Sequence, residues 1–405
     1  KFWGVFHHRS GQESYFMMRL ANTNGVLKPD QMRAIGEVAR DYASGPVENP
    51  EWGDAWIDFT TRQSVQLHWL KLEDIPDIWE KLEAVGVSSR SAGGDTMRNI
   101  SGCPVAGKAE EFVESRPILD EIQETIRDDN ELANMPRKFN ISVTGCREGC
   151  AQDSINGIGL EPAEKIIDGE PTRGFNVRVG GGLGGREPRQ ARSLDVFVEP
   201  GNACTVVRAF VQLYFDRGDR SNRQKNRSRF FVDEWGTTEI RERLISSYVD
   251  IPLHHEGTNL RDEYTYNAGK TPAEGKHDHI GVHEQSDGRY YVGLSVPVGR
   301  LTATETVELA DLADTHGSGA IRLTRRQNPL IMDVPETALD DLLAADLLSV
   351  HSPTPNVFTR GSMACTGTEF CSLALTETKA RMATLLRWLR ANVELPADVK
   401  QLKIH

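Results

Sequence analysis

Four of the six cysteines fall in two close pairs, Cys146 and Cys150 with three residues between them, and Cys365 and Cys371 with five. Thiolates at such spacings bind soft metals, and together the pairs equal the four ligands of an iron–sulfur cluster. The competing reading is small buried hydrophobes, the common state of a free cysteine. Cys103 and Cys204, which stand apart in the sequence, read as structural. Basic residues inside apolar or strand-like stretches are the second chemical signal. They are Arg19 in "FMMRL", Arg98 in "MRNISG", and Arg137 and Lys138 in "PRKFNIS", where the amide Asn140 accompanies them. Lys138 and Asn140 are two apart and share one face of a strand. In "TTRQSVQLH", the alternation of Arg62, Ser64 and Gln66 likewise places them on one sheet face.

Other motifs carry less. "GGGLGG" (Gly180 to Gly185) contains G-x-G-x-x-G, but "REPRQARS" follows it, with Pro188 and no apolar period. A dinucleotide site needs a helix to open there, so that reading is rejected. "KHDHIGVH" offers His277, His279 and His283 as possible zinc ligands, against a plain polar connector. The basic run from Asp216 to Arg229 reads as a solvated helix or as a docking face for an acidic partner.

The elements that position these residues occur twice. "DFTTRQSVQL" resembles "RLTRRQNPLI", and "MRNISGC" resembles "TRGSMAC". Arg98 and Arg360 are 262 positions apart, as are Cys103 and Cys365. Each copy opens strand–helix–strand–helix, with Pro29 in the first turn of one long helix and Gly317 at the end of the other. Such a unit covers one face of its sheet, so two copies are expected to pack together. The expected segments are 1–95, the first half-repeat; 96–235, an α/β domain; 236–288, a helix and connector; 289–350, the second half-repeat; and 351–405, the start of a second α/β domain. The same offset places the counterparts of Cys146 and Cys150 at positions 408 and 412, past His405. With Lys1 as the first residue, the chain reads as the middle of a longer one.

At 405 residues, two or three domains are expected. A net charge of −12 argues against general nucleic-acid binding, and no apolar run is long enough to suggest a membrane span. Sparse cysteines argue for a reduced compartment, taken as the cytoplasm.

"RNISGCPVAG", "PRKFNISVTGCREGCAQ", "GFNVRVGGGLGGREPR" and "ACTGTEFC" together resemble the siroheme-dependent nitrite and sulfite reductases, in that family's order and over nearly the whole chain. The resemblance implies an α+β fold of repeated ferredoxin-like half-domains around an α/β siroheme-binding domain. It implies a siroheme and a [4Fe–4S] cluster, with Cys365 and Cys371 as two ligands and Cys146 and Cys150 as a vestigial copy. A four-cysteine cluster from both pairs is the alternative. Arg19, Arg98, Lys138 and Asn140 match the family's anion-binding set. Arg62, Gln66, Arg98 and Arg137, with the backbone of Gly181 and Gly182, are expected to meet the siroheme and its carboxylates. The implied activity is six-electron reduction of nitrite to ammonia, with ferredoxin as donor and the enzyme a monomer. Sulfite reduction is the alternative on the same scaffold, and K-x-N at 138–140 favours nitrite. A non-catalytic siroheme or anion carrier is the alternative from another class.

Overall fold

The computed structural model describes residues 1–9, 11–184, 187–261, 278–399 and 402–405. They form two compact units: Lys1–Trp3 with described residues 91–261, and Gly4–Arg90 with described residues 278–405.

The second unit contains both half-repeats. The long helices Pro29–Tyr42 and Ala303–His316 pack against one another. In the first, Met32, Ile35, Gly36, Val38 and Ala39 are buried, the spacing of one helical stripe. Gly36 sits at the crossing, where an added Cβ would stand 2.8 Å from Val307 Cγ2, so only glycine allows this approach. Proline opens the first helix. The second has a capping box, in which Thr302 and Glu305 satisfy one another's backbone amides.

Each half-repeat lends a short strand to the other's sheet. One sheet runs Val5–His7, Phe16–Arg19, Val65–Leu70, Gly53–Phe59 and Arg300–Thr302. The other runs Gly281–Glu284, Tyr290–Gly293, Pro329–Val334, Ile321–Leu323 and Val26–Leu27. Gln63 and Gln327, both with positive φ, repeat the exchange with side chains: Gln63 donates to Leu323 O at 3.0 Å, and Gln327 to Phe59 O at 3.0 Å. A single apolar core therefore holds residues of both copies.

The first unit is built on a mixed sheet in the order Arg192–Val198, Glu170–Val179, Ile158–Ile167, Ile141–Val143, Ser101–Gly102. The last two pairings are parallel. Helix Ala203–Arg217 buries Val206, Val207, Phe210, Val211 and Tyr214, and the expected helix past residue 236 is Thr237–Ser247. Among the described residues, no helix is long and apolar enough to cross a membrane.

Candidate functional site

In the first unit a parallel bridge joins Met97 to Phe139. Alternation about this bridge puts Arg98, Lys138 and Asn140 on the side opposite Met97 and Phe139, and Arg98 and Asn140 are themselves buried. Arg98 N donates to Phe139 O at 2.9 Å, which fixes the register. The Arg98 guanidinium is steadied by the carbonyls of Ala92 (2.5 Å) and Gly94 (2.9 Å). One face thus carries two cations and an amide, a set suited to a small anion.

The glycine loop of the same unit is a cradle for backbone and charge. An added Cβ at Gly181 would stand 2.6 Å from Asn156 O. One at Gly182 would stand 3.2 Å from Arg229 Nη1 and 3.8 Å from Arg227 Nη2. Arg229 donates to Gly184 O at 2.8 Å. Burial, then the charges of Arg229 and Arg137, lower the Arg227 pKa to about 10. A carboxylate in this cluster would relieve the repulsion between guanidiniums. The donor set therefore fits a cofactor rich in carboxylates. Arg137 also donates to Asp95 at 3.0 Å, beside Arg223.

Sequence reasoning missed Arg227 and Arg229. The run from Asp216 to Arg229 is not one solvated helix: Ala203–Arg217 ends there, and a new helix begins at Ser228. Its arginines are committed within the unit, Arg220 to Asn134 O and Phe215 O, and Arg223 to Asp95. After the glycine loop, described residues lead to strand Arg192–Val198 with no helix between, as expected for a non-nucleotide loop.

In the second unit, Arg19 and Gln66 are register partners on adjacent strands, so their side chains share a face. Arg19 lies over the Phe6 ring at 5.2 Å, and burial lowers its pKa to about 10. The expected alternation of Arg62, Ser64 and Gln66 on one strand does not hold. Arg62 and Ser64 lie in a turn closed by Thr60 N to Ser64 O at 2.9 Å, with Gln63 at φ 53. The turn breaks the two-residue period, and Ser64 Oγ donates inward to Leu20 O.

Cys365 is exposed and Cys371 half-buried, at either end of a tight loop. Gly367 (φ 66) makes its turn, and a Cβ there would meet Thr378 Oγ1 at 2.5 Å. Thr378 Oγ1 donates to Cys365 O at 2.6 Å, and Cys371 N to Gly367 O at 3.0 Å. Inside this loop, Glu369 accepts from the buried Arg300 at 2.9 Å. Arg300 also holds Asp58 by two bonds, at 2.7 and 3.0 Å, between the rings of Trp52 and Trp56. Lys379 Nζ stands 3.4 Å from Asp58. Burial pushes the Asp58 pKa up, but Arg300, Lys379 and His68 hold the carboxyl well below its usual range. Phe370, next to Cys371, stacks on His68 at 3.9 Å. This loop is thus a rigid mount for two thiolates, half of a cluster's ligand set. Nothing in the sequence pattern pointed to Arg300 or Asp58, which are 242 residues apart.

Cys103, expected to stand apart as a structural residue, lies beside the first cysteine pair. Its thiol lies within hydrogen-bonding reach of Cys146 and Cys150, and they, with burial, push its pKa well up. Cys204 pairs instead with Thr125 Oγ1 at 3.2 Å. His279 meets the Tyr291 hydroxyl at 3.2 Å and His283 the Ile280 carbonyl at 3.1 Å, while His277 lies outside the described residues.

Comparison with known proteins places these features. Residues 93–253 match the model of the nitrite and sulphite reductase 4Fe-4S domain. Residues 8–48, 50–85 and 283–345 match the nitrite/sulfite reductase ferredoxin-like half domain. The chain is 72% identical to an assimilatory ferredoxin-dependent nitrite reductase of Haloferax mediterranei, over 100% of this chain and 70% of that protein. It is 37% identical to a ferredoxin–nitrite reductase of Synechococcus elongatus, over 99% of this chain and 74% of that one. Among solved structures it resembles the NirA protein of Mycobacterium tuberculosis, with a TM-score of 0.83 and 28% identity over 98% of this chain and 72% of that chain. The two family models fall separately on the two units and the identity runs through both; the chain belongs to the nitrite and sulphite reductase family.

Proposed function

We propose that the protein reduces nitrite to ammonia with six electrons from ferredoxin, at a siroheme coupled to a [4Fe–4S] cluster. The relatives named as ferredoxin-dependent nitrite reductases, which match over 99% or more of the chain, support this reading. The bound siroheme supplies the iron that takes the anion, and the cluster relays single electrons to it.

The chain's own residues set the terms of that chemistry. Arg98, Lys138 and Asn140 on one face, with Arg19, hold the anion and donate hydrogen bonds as its oxygens gain charge. Arg62, Gln66, Arg137, Arg227 and Arg229 hold carboxylates of the cofactor, while Gly181 and Gly182 let backbone approach it. Cys365 and Cys371 ligate the cluster, and Arg300 with Asp58 keeps their loop in place. Asn140 favours nitrite over sulfite, because a neutral donor suits a singly charged anion already met by three cations. The enzyme works as a monomer in the cytoplasm, which sedimentation and cell fractionation would check.

The observation that carries this reading is the Met97–Phe139 bridge, which turns Arg98, Lys138 and Asn140 to one side. Arg98→Ala in the holoenzyme tests it. A charge-assisted hydrogen bond is worth about 1.5–3 kcal/mol, so nitrite turnover should fall by about one to two decades. Turnover near wild type with saturating donor would count against the anion site.

A further inference from the structure

Asp95 stands where three segments of the first unit meet, each carrying basic residues. Its backbone oxygen accepts from Met135 N at 2.9 Å, and the next carbonyl, of Thr96, accepts from Phe139 N at 2.9 Å. The segment that leads to Arg98 therefore runs beside the one that bears Arg137 and Lys138. The half-buried Asp95 carboxylate reaches further. Its Oδ1 accepts from Arg137 Nη1 at 3.0 Å and from Arg223 Nη2 at 3.2 Å, and its Oδ2 from Arg223 Nη1 at 2.8 Å. Arg223 thus grips Asp95 with two N–H groups, the geometry that best fixes a carboxylate.

A second tie joins the same segments. The buried Asn226, just before Arg227, donates to the carbonyl of Pro136, just before Arg137, at 2.8 Å. Asn226 O in turn accepts from the buried Tyr214 hydroxyl. Arg137 and Arg227 therefore hang on one frame, and the charge of Arg137 is among those that act against Arg227. Among the described residues, Asp95 is the one carboxylate in an ion pair with Arg137, and none pairs with Arg227. The group keeps a positive excess. Burial raises the Asp95 pKa, but Arg223 and Arg137 bring it below the usual range, so the carboxylate is charged at neutral pH.

We propose that Asp95 is a positioning residue for siroheme: clamped by Arg223, it holds the Arg137 guanidinium where the remaining donors meet a carboxylate of the cofactor. This rests on the reading of the first unit as a siroheme site. Asp95 takes one N–H of Arg137 and leaves the rest of the fork for a second carboxylate. An arginine side chain loses much rotamer freedom when it is fixed, and one fixed beforehand spares the bound state that loss. Asp95 also offsets part of the repulsion within the group, so the guanidiniums stand close before any cofactor arrives. A carboxylate that orients a metal-bound histidine works by the same logic, acting through the residue that makes the contact.

The test compares holoenzymes and reads siroheme release, followed by visible absorbance of the protein fraction after dilution and gel filtration. Arg137→Gln should speed release about tenfold, the loss of one charge-assisted contact. Asp95→Asn should speed it about fivefold in the unsubstituted background but by less than about twofold beside Arg137→Gln, because the two act as one unit. An Asp95 that only braced the fold would speed release by the same factor in both backgrounds, and that result overturns the proposal. Wild-type retention in Asp95→Asn overturns it as well. Unchanged retention in Arg137→Gln overturns it together with the carboxylate role of Arg137, which separates the two failures. Should Asp95→Asn not fold, Arg223→Gln, at an exposed residue, takes its place in the same cycle with an expected effect of about threefold.

Discussion

The two cysteine loops are copies of one design that have come to differ in exposure. Around Cys103, Cys146 and Cys150 the first unit closes inward, whereas the second presents Cys365 at its surface with Cys371 half-buried. Each loop is tied down by one buried arginine: Arg261 grips Asp153 just beyond Cys150, and Arg300 grips Glu369 between Cys365 and Cys371. The two anchors are not counterparts in the repeat: the offset of 262 carries Arg300 onto Val38 and Glu369 onto Gly107. In the first unit the position matching Glu369 is Gly107, and the matching loop leans on Glu111 instead. The two copies thus tie their loops down with different residues.

The largest effect that would break this comparison is loss of the cluster from the wrong copy. Cys365→Ser should abolish stoichiometric iron and sulfide in the holoenzyme and, with them, nitrite turnover. Cys146→Ser should leave iron and sulfide at the wild-type level. Elemental analysis of both variants decides, and cluster loss in Cys146→Ser would reverse the assignment of the two copies.

Next in size is the anchor of the second loop. Asp58→Asn leaves the buried Arg300 short of its counter-charge, and breaking a buried pair costs about 3–5 kcal/mol. The unfolding midpoint in denaturant should fall accordingly, and a chelator should remove iron from the cluster faster. A stable variant whose iron is no more labile would show that the network does not mount the loop.

Substrate choice comes third. Asn140→Lys adds a cation to the face shared with Arg98 and Lys138, which favours doubly charged sulfite. The ratio of sulfite to nitrite kcat/KM should rise about tenfold, equivalent to ~1.4 kcal/mol. An unchanged ratio, assayed with an artificial donor, would remove Asn140 from specificity.

The smallest effect is on pH. Burial, then the charge of His68, lowers the His8 pKa to about 3, and burial likewise lowers that of His68. Both are neutral in the folded second unit. Their stabilisation is complete above the unfolded value of ~6.5 and is lost as pH falls from there toward the folded values. Stability should decline below about pH 6.5, and His8→Gln should flatten that slope. An identical slope in the variant would assign the titration to other groups.

What the sequence by itself determined is whatever repeats or recurs locally. The tandem copies, the long helices with Pro29 and the Thr302 box, and the family motifs with Arg98, Lys138, Asn140, Cys365 and Cys371 were all legible. Periodicity and capping act within a few residues, and self-similarity needs no contact information. Tertiary structure alone decided the exchange of strands between copies and the turn that removes Arg62 from the strand face. It also brought Arg227 and Arg229 to the glycine loop, and Cys103 to Cys146 and Cys150. These are contacts between positions far apart in the chain, fixed by which strands neighbour one another and by where a buried charge finds its partner. No spacing along the sequence encodes them, because each arises only when the sheet closes and burial forces polar groups to pair.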